Sequence, residues 1–388
     1  MSKHKLESIQ LRLIKMPLKH PFQTSFGIEK DRQCIIVSLQ SSGLTGWGEC
    51  VASQFGAGAG PEHWAFYSYE TTGTAWHILK DFLAPALIGK EIDSPSMVAD
   101  LHARLRGHPM ACAGIEAAVW DLLAKAEGIP LADLLHAGQG YDSPRPDRVS
   151  TGVSIGIQPS IEATLQRIAA FTEEGYGRIK LKIKPGWDID LVSAVRADFP
   201  DLPLMLDANS AYTLADAEHL KKLDTFNLMM IEQPLAHDDI FQHAKLQAQL
   251  DTPICLDESI HSLDQAAWAY EIDAARIINI KPGRVGGLWN ARRMHDFSLK
   301  SGKPVWCGGM LETGIGRAAN LALSSLPGYT LPGDISASDR YYEEDIIDPP
   351  FTLNADSTIS LPTDPGLGVK VREKLLEELT LEKTTITT

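Results

Sequence analysis

The chain has 388 residues, 44% apolar and 22% charged, with a formal net charge of −14, enough for two domains or one large barrel with an appendage. The acidic balance excludes nucleic acid and anionic membrane as main partners, since both need a basic footprint. No run approaches membrane-spanning length, the N-terminus lacks a signal-type apolar core, and five scattered cysteines read as reduced, so the expectation is a cytoplasmic protein.

Residues 5–52 carry β-branched runs and a turn at Ser41–Gly43, which predicts a strand meander. HPFQTSFG and the glycine-rich SQFGAGAGP (53–61) read as loops. From about 70 to 137 apolar residues recur at three- and four-residue intervals, and the second helical run stops at Gly128 before Pro130. Strands followed by helices predict an α+β domain over 1–137. A polar, proline-bearing linker follows at 138–148.

From 149 to 336 short apolar runs alternate with amphipathic helical segments. The runs are VSTGVSIG, RIKLKIK, LPLMLDAN, LMMIEQP, PICLDES, RIINIKP, PVWCGGM and YTLPGDIS. Strands apolar on both faces, each followed by a helix, mean a parallel sheet. No Gly-x-Gly-x-x-Gly opens a unit, which favours a closed α/β barrel over a dinucleotide-binding sheet. The predicted fold is a (β/α)7β TIM-like barrel under the α+β capping domain. The segment 337–388, with a hairpin-like FTLNADSTISLPTDPGLGV, is expected to return to the cap.

Within RIKLKIKPG, Lys180, Lys182 and Lys184 alternate, so a strand aims them at one face. Lys182, Asp207, Glu232 and Asp257 are spaced by 25 residues each, and Lys281 follows 24 later. Each ends an apolar run, and barrel strand ends converge on one mouth. Three carboxylates aimed at one point repel unless a cation joins them, and all-oxygen donors select a hard ion, Mg²⁺ or alternatively Mn²⁺. Such an ion holds a substrate carboxylate while a base removes the α-proton. A lysine near that cation and a second lysine titrates lower, which assigns Lys182 as base and Lys180 as its neighbour. Lys281 approaches from the other side. Taken singly, each lysine would be an ion-paired or snorkelling side chain and each aspartate a helix cap. Jointly, at one period, they point to a site.

The set KLK, DAN, EQP, DES and NIKPGRVGG resembles the enolase superfamily, in its muconate-lactonizing subgroup, and within it the o-succinylbenzoate synthase and N-acylamino acid racemase family. GHPMACAGIEAAVWDLLAKAEGIPLADLL, GGMLETGIGRAAN and LPGDISASDRYYEEDI extend the resemblance over nearly the whole chain. The resemblance implies Asp207, Glu232 and Asp257 as metal ligands, Lys182 and Lys281 as acid/base lysines, and Asn209 at the edge of the metal site. It also implies loops around Phe22, Thr24 and Phe26, and at Gln54–Gly60, that close over the mouth. Lys184 is also a formal match to the family's Lys-x-Lys, but counting 25 back from Asp207 selects Lys182.

Further expectations are weaker in kind. Trp306 and Cys307, one period past Lys281, are expected to line the mouth with Gly308. Glu312 is expected to touch substrate. Glu258 is expected to pair with Lys180 or Lys281, Glu49 to tie a turn within the cap, and His237 and His243 to face solvent. The implied activity is dehydration of a β-hydroxy carboxylate in menaquinone synthesis, or racemisation of N-acylamino acids, on a small-molecule carboxylate in a homo-oligomer. Dipeptide epimerases and cycloisomerases share the scaffold, but Asp334 and Asp339 are too far apart for the epimerases' Asp-x-Asp. A metal-free Schiff-base aldolase, a glycosidase and a non-catalytic barrel are the other classes. Full activity in a chelator would favour the aldolase.

Overall fold

The computed structural model describes residues 3–53 and 66–388; the expected loop Gln54–Gly60 lies outside them. The N-terminal meander forms β1 (Ser8–Gln23), β2 (Ile28–Ser41) and β3 (Leu44–Cys50), joined in sequence as antiparallel neighbours. The last strand of the chain, β11 (Thr380–Thr387), adds to the free edge of β1, with Thr384 opposite Leu11. One face of this sheet receives α1 (Pro109–Glu127), which is buried along most of its length. The approach is close because both surfaces carry glycine. A Cβ at Gly48 would lie 2.2 Å from the Gly114 carbonyl, so neither the strand nor the helix tolerates a side chain there. Gly128 ends α1 in the left-handed region (φ 69°), as its place before Pro130 predicted.

The second region is a parallel ring: β4 (Val153–Ile155), β5 (Ile179–Lys182), β6 (Leu204–Asp207), β7 (Met230–Glu232), β8 (Ile254–Leu256), β9 (Ile277–Ile280) and β10 (Val305–Cys307). They pair in chain order. The eighth run, YTLPGDIS, does not form a regular strand. It closes the ring through two parallel bridges, Val305 with Tyr329 and Thr151 with Gly333. Every residue of these seven strands is buried, which explains their near-continuous apolar reading. Met205, Met230, Cys255, Ile277 and Trp306 form a small core of their own, separate from the main one.

The expected hairpin at 351–369 is absent. Thr358–Ser360 pairs instead with Arg148–Ser150, beside the start of β4, before the chain returns to the cap sheet.

Cap carboxylates start barrel helices. Glu116 of α1 accepts from the Leu288 and Trp289 N–H groups (2.7 and 2.8 Å) at the start of α2 (Leu288–Lys300). Glu49 of β3 accepts from Thr313 Oγ1 (2.6 Å) and Gly316 N (3.0 Å) at the start of α3 (Gly314–Ser324). Orphan N–H groups at a helix start are satisfied by such acceptors. Glu49 therefore bridges the two regions rather than tying a cap turn. Burial pushes both carboxyls up to about 7 against the pull of those donors. His243 is also corrected: it is fully buried, and its Nε2 accepts from Leu235 N at 3.1 Å. His237 is exposed, as expected.

Candidate active site

Strand alternation sets the site. Lys180 and Lys182 lie two residues apart on β5, while Lys184 has left the strand for a turn bridged to Trp187. In the ring register Lys182 is level with Asp207, and Asp207 with Glu232. Lys182 Nζ donates to Asp207 Oδ2 (2.6 Å) and to Asn209 Oδ1 (2.7 Å). Asn209 sits just past β6 with φ 43°, a region asparagine enters more readily than most residues. Its amide donates to Glu258 Oε1 at 2.9 Å, so Glu258 contacts Asn209 rather than either lysine by hydrogen bond. Glu258 Oε2 is buried without a partner among the described residues.

Lys180 is ion-paired three ways, to Asp334 Oδ2 (2.6 Å), Glu232 Oε2 (2.7 Å) and Asp207 Oδ2 (3.2 Å). Burial pulls its pKa down, but these carboxylates outweigh burial and hold it above the usual lysine range. The charge expected to repel Lys182 is thus matched by acids. Arg178 completes the far side by donating to Asp334 Oδ1 at 2.6 Å.

Lys281 enters from the opposite side, since β9 stands four positions from β5 in a ring of eight segments. It donates to Asp257 Oδ2 (2.6 Å) and to the Tyr67 hydroxyl (3.2 Å). Arg284, one helical turn later, holds the other oxygen of Asp257 and donates to the Ile260 carbonyl at 2.7 Å. Asn279, one layer beneath Lys281, donates to Glu232 Oε1 at 2.6 Å. Burial lowers the Lys281 pKa, yet Tyr67, Glu232, Glu258 and Asp207 together raise it above the ordinary value.

The three carboxylates proposed for metal end successive strands, but they are not gathered into one cluster. Asp207 and Glu232 share the Lys180 ammonium, whereas Asp257 is engaged by Lys281 and Arg284. Among the described residues no three acids, histidines or cysteines stand close enough to hold an ion as they are. The donor chemistry nonetheless suits a hard divalent cation: the acids are buried oxygen donors, and the unpartnered Glu258 oxygen sits where Asp207 and Glu232 both raise its pKa, after burial itself. Asp207, in contrast, is held below the usual carboxylate range: Lys182 and Lys180 outweigh its burial.

Phe22, Thr24 and Phe26 line a cavity together with Lys180, Lys182 and Lys281, as the loop expectation requires. Ser25 ties that loop to the mouth through the Asn209 carbonyl at 3.2 Å. Trp306 does not line the mouth. It is fully buried beneath it, level with Asn279, with Lys180 Nζ 4.7 Å above its ring. An additional turn, Pro282–Val285, precedes α2 and breaks the spacing, so Gly308 and not Trp306 comes level with Lys281. Gly308 makes room for that lysine, since a Cβ there would lie 2.6 Å from Lys281 Cε. Cys307 packs in the main core. Glu312 is held by its own loop and by α3, accepting from Met310 N (2.8 Å) and Asn320 Nδ2 (2.9 Å), and is not among the cavity residues. Tyr67, Asn279, Asp334 and Arg284 were missed as site residues. In the sequence Asp334 stands out only by its failure to form Asp-x-Asp with Asp339.

Comparison with known proteins accords with this arrangement. Family models described as "Mandelate racemase / muconate lactonizing enzyme, N-terminal domain" and "Enolase C-terminal domain-like" match residues 8–136 and 163–375. The chain is 48% identical over 376 residues to an o-succinylbenzoate synthase of Geobacillus kaustophilus, covering 97% of this chain and 96% of that protein. It is 47% identical over 380 residues to an N-succinylamino acid racemase of Amycolatopsis, covering 98% of each. A crystal structure of an enolase superfamily member from Listeria innocua superposes with a TM-score of 0.90 at 40% identity, over 99% of both chains.

Proposed function

From the premise that the chain belongs to the mandelate racemase / muconate lactonizing enzyme family of the enolase superfamily, we propose that it is a Mg²⁺-dependent o-succinylbenzoate synthase. The supporting observation is the pair Lys182 and Lys281, which enter one cavity from opposite sides of the barrel mouth. Asp207, Glu232 and Asp257 would hold the ion, with Mn²⁺ as a substitute. When bound, it supplies charge neutralisation to the substrate carboxylate as the α-proton leaves.

Lys182 Nζ, in its neutral form, takes the α-proton from one face, as a general base within reach of the cavity. The same ammonium then returns the proton to the departing β-hydroxyl, which leaves as water, and the C–H electron pair becomes the new double bond. Lys281 stays charged opposite and faces the negative charge that develops on the carboxylate. Asn209 keeps Lys182 aligned. Phe22, Phe26 and Tyr67 wall the cavity against solvent.

Charge balance favours an anionic substrate. Asp207, Glu232, Asp257, Glu258 and Asp334 formally balance Lys180, Lys182, Lys281, Arg178 and Arg284, all buried. A divalent cation would add two positive charges, and the mouth stays positive after Lys182 gives up one proton to act as base. The o-succinylbenzoate precursor and N-succinylamino acids both carry carboxylates that such a mouth attracts.

A second reading, racemisation of N-succinylamino acids, is favoured by the same opposed lysines and by the Amycolatopsis relative. There Lys182 and Lys281 each take or give a proton at one carbon.

The test is formation of the aromatic product from its β-hydroxy acid precursor, followed by absorbance. Turnover is expected with Mg²⁺, is lost in EDTA, and returns on adding Mg²⁺. An enzyme that stays fully active after exhaustive chelation would overturn the metal site. Absence of aromatic product, with rapid racemisation retained, would leave the racemase reading in its place.

A further inference from the structure

The two lysines differ in what holds them. Lys182 is oriented by Asp207 and Asn209, both from the barrel. Lys281 is oriented by Asp257 of the barrel and by Tyr67 of the cap. Tyr67 receives the Lys281 ammonium at 3.2 Å and donates its own proton to Asp257 Oδ1 at 3.2 Å. The ammonium also stands 4.7 Å from the centre of the Tyr67 ring. Hydroxyl and ring face together thus hold one amine, through a hydrogen bond and a cation–π contact.

The cap's remaining contacts carry Tyr67 to this place. Tyr67 lies three residues before Glu70, whose carboxylate accepts from Met110 N and Ala111 N (2.8 Å each) at the start of α1. The neighbouring Tyr69 hydroxyl accepts from His108 N at 2.8 Å. The segment 67–70 is therefore fastened to the cap helix, while its tyrosine reaches into the barrel mouth.

We propose that Tyr67 is the positioning residue for Lys281, so that a cap side chain holds one of the two amines directly, while the amine of Lys182 is held only by barrel side chains. The inference rests on the two-lysine reading above. It assigns Tyr67 no proton transfer with substrate. Its hydroxyl takes one N–H of Lys281, which turns the remaining amine valences toward the cavity, and its ring blocks the rotamers that would withdraw the amine.

The consequence is facial. For an N-succinylamino acid in D₂O, one enantiomer loses its α-proton to Lys182 and the other to Lys281. The variants Lys182→Arg and Lys281→Arg identify which is which, because each retains exchange of only one enantiomer. In Tyr67→Phe, which keeps the ring and loses the hydroxyl, kcat for exchange of the Lys281-dependent enantiomer should fall about tenfold, the effect of misaligning one general base. Exchange of the other should stay within about twofold, with KM for both little changed. Tyr67→Ala, which also removes the ring, should deepen the loss on the same face only. Equal slowing of both enantiomers, or of neither, would overturn the proposal.

A readout that needs no turnover separates this idea from the functional reading. Reductive methylation followed by peptide mass spectrometry should modify Lys281 faster in Tyr67→Phe than in the unaltered protein, with Lys182 unchanged. Unchanged Lys281 modification would overturn the positioning role. If the unaltered protein exchanged neither enantiomer, the racemase reading would fall, and the methylation pattern alone would decide on Tyr67.

Discussion

The two lysine arms of the mouth are built by different means. The Lys182 arm is made within two adjacent strands: Lys182 is level with Asp207, and Asn209 follows two residues later. The Lys281 arm is assembled from three separate stretches, with Asp257 on the neighbouring strand end, Tyr67 from the cap, and Gly308 leaving space alongside. The difference teaches that two opposed amines facing one cavity can rest on an asymmetrical scaffold. The partners of Lys182 come from the barrel alone, whereas those of Lys281 depend on two regions meeting in register.

The sharpest way to break this comparison is to remove each amine. Lys182→Ala and Lys281→Ala should each abolish racemisation, lowering it by about 10²–10⁴, the usual worth of a general acid or base. Exchange in D₂O should persist for one enantiomer in each variant, and for opposite enantiomers in the two. Loss of the same enantiomer in both would mean that the lysines do not serve opposite faces.

A smaller effect is expected from crowding one arm alone. Gly308→Ala would place a methyl 2.6 Å from Lys281 Cε and closer still to the Asn279 side chain. The lysine must shift, so turnover that needs Lys281 should fall by roughly 10-fold to 10²-fold, as for displacement of a catalytic group by a fraction of an ångström to an ångström. Exchange served by Lys182 should be nearly unaffected. The thermal unfolding midpoint should also fall, because the buried Asn279 side chain has to move with the lysine.

The mildest prediction concerns the seat between cap and barrel. Glu116 is buried with its pKa raised from 4.5 to about 7, chiefly by desolvation. A raised folded-state pKa contributes stability that is fully present below the unfolded value and is lost as pH rises through the folded one. Denaturant midpoints should therefore decline between about pH 4.5 and 7 and level off above. Glu116→Gln, which cannot ionise, should flatten that decline by up to about 3 kcal/mol across the window. A slope identical in protein and variant would show that Glu116 ionises equally in both states.

What could be read beforehand follows from where the information resides. Alternation on β5 depends only on the pleat, so the inward set of Lys180 and Lys182 was legible, as was the exit of Lys184 before Pro185. Repeat spacing carried the reading from Asp207 through Lys281, because each βα unit there has nearly the same length. It failed at Trp306, where the turn Pro282–Val285 lengthens the unit and lowers the tryptophan one layer. Tyr67 was missed because the segment around it is neither strand nor helix and shows no periodicity. Glu49 and His243 were misjudged for a related reason. A polar residue's burial is decided by a partner distant in the chain or folded back over it, and neither is visible in local pattern.

The carboxylates that Glu49 and Glu116 lend to α3 and α2 have a bearing on how the molecule comes apart. Deprived of the N-terminal region, the barrel would keep its ring of strands but would leave the amides of Thr313, Leu288 and Trp289 without these acceptors. Those amides begin the two helices that flank β10, next to the weakest closure of the ring. Excision of the cap would thus fray the barrel at its own seam, and the two regions should melt in a single step rather than as separable modules.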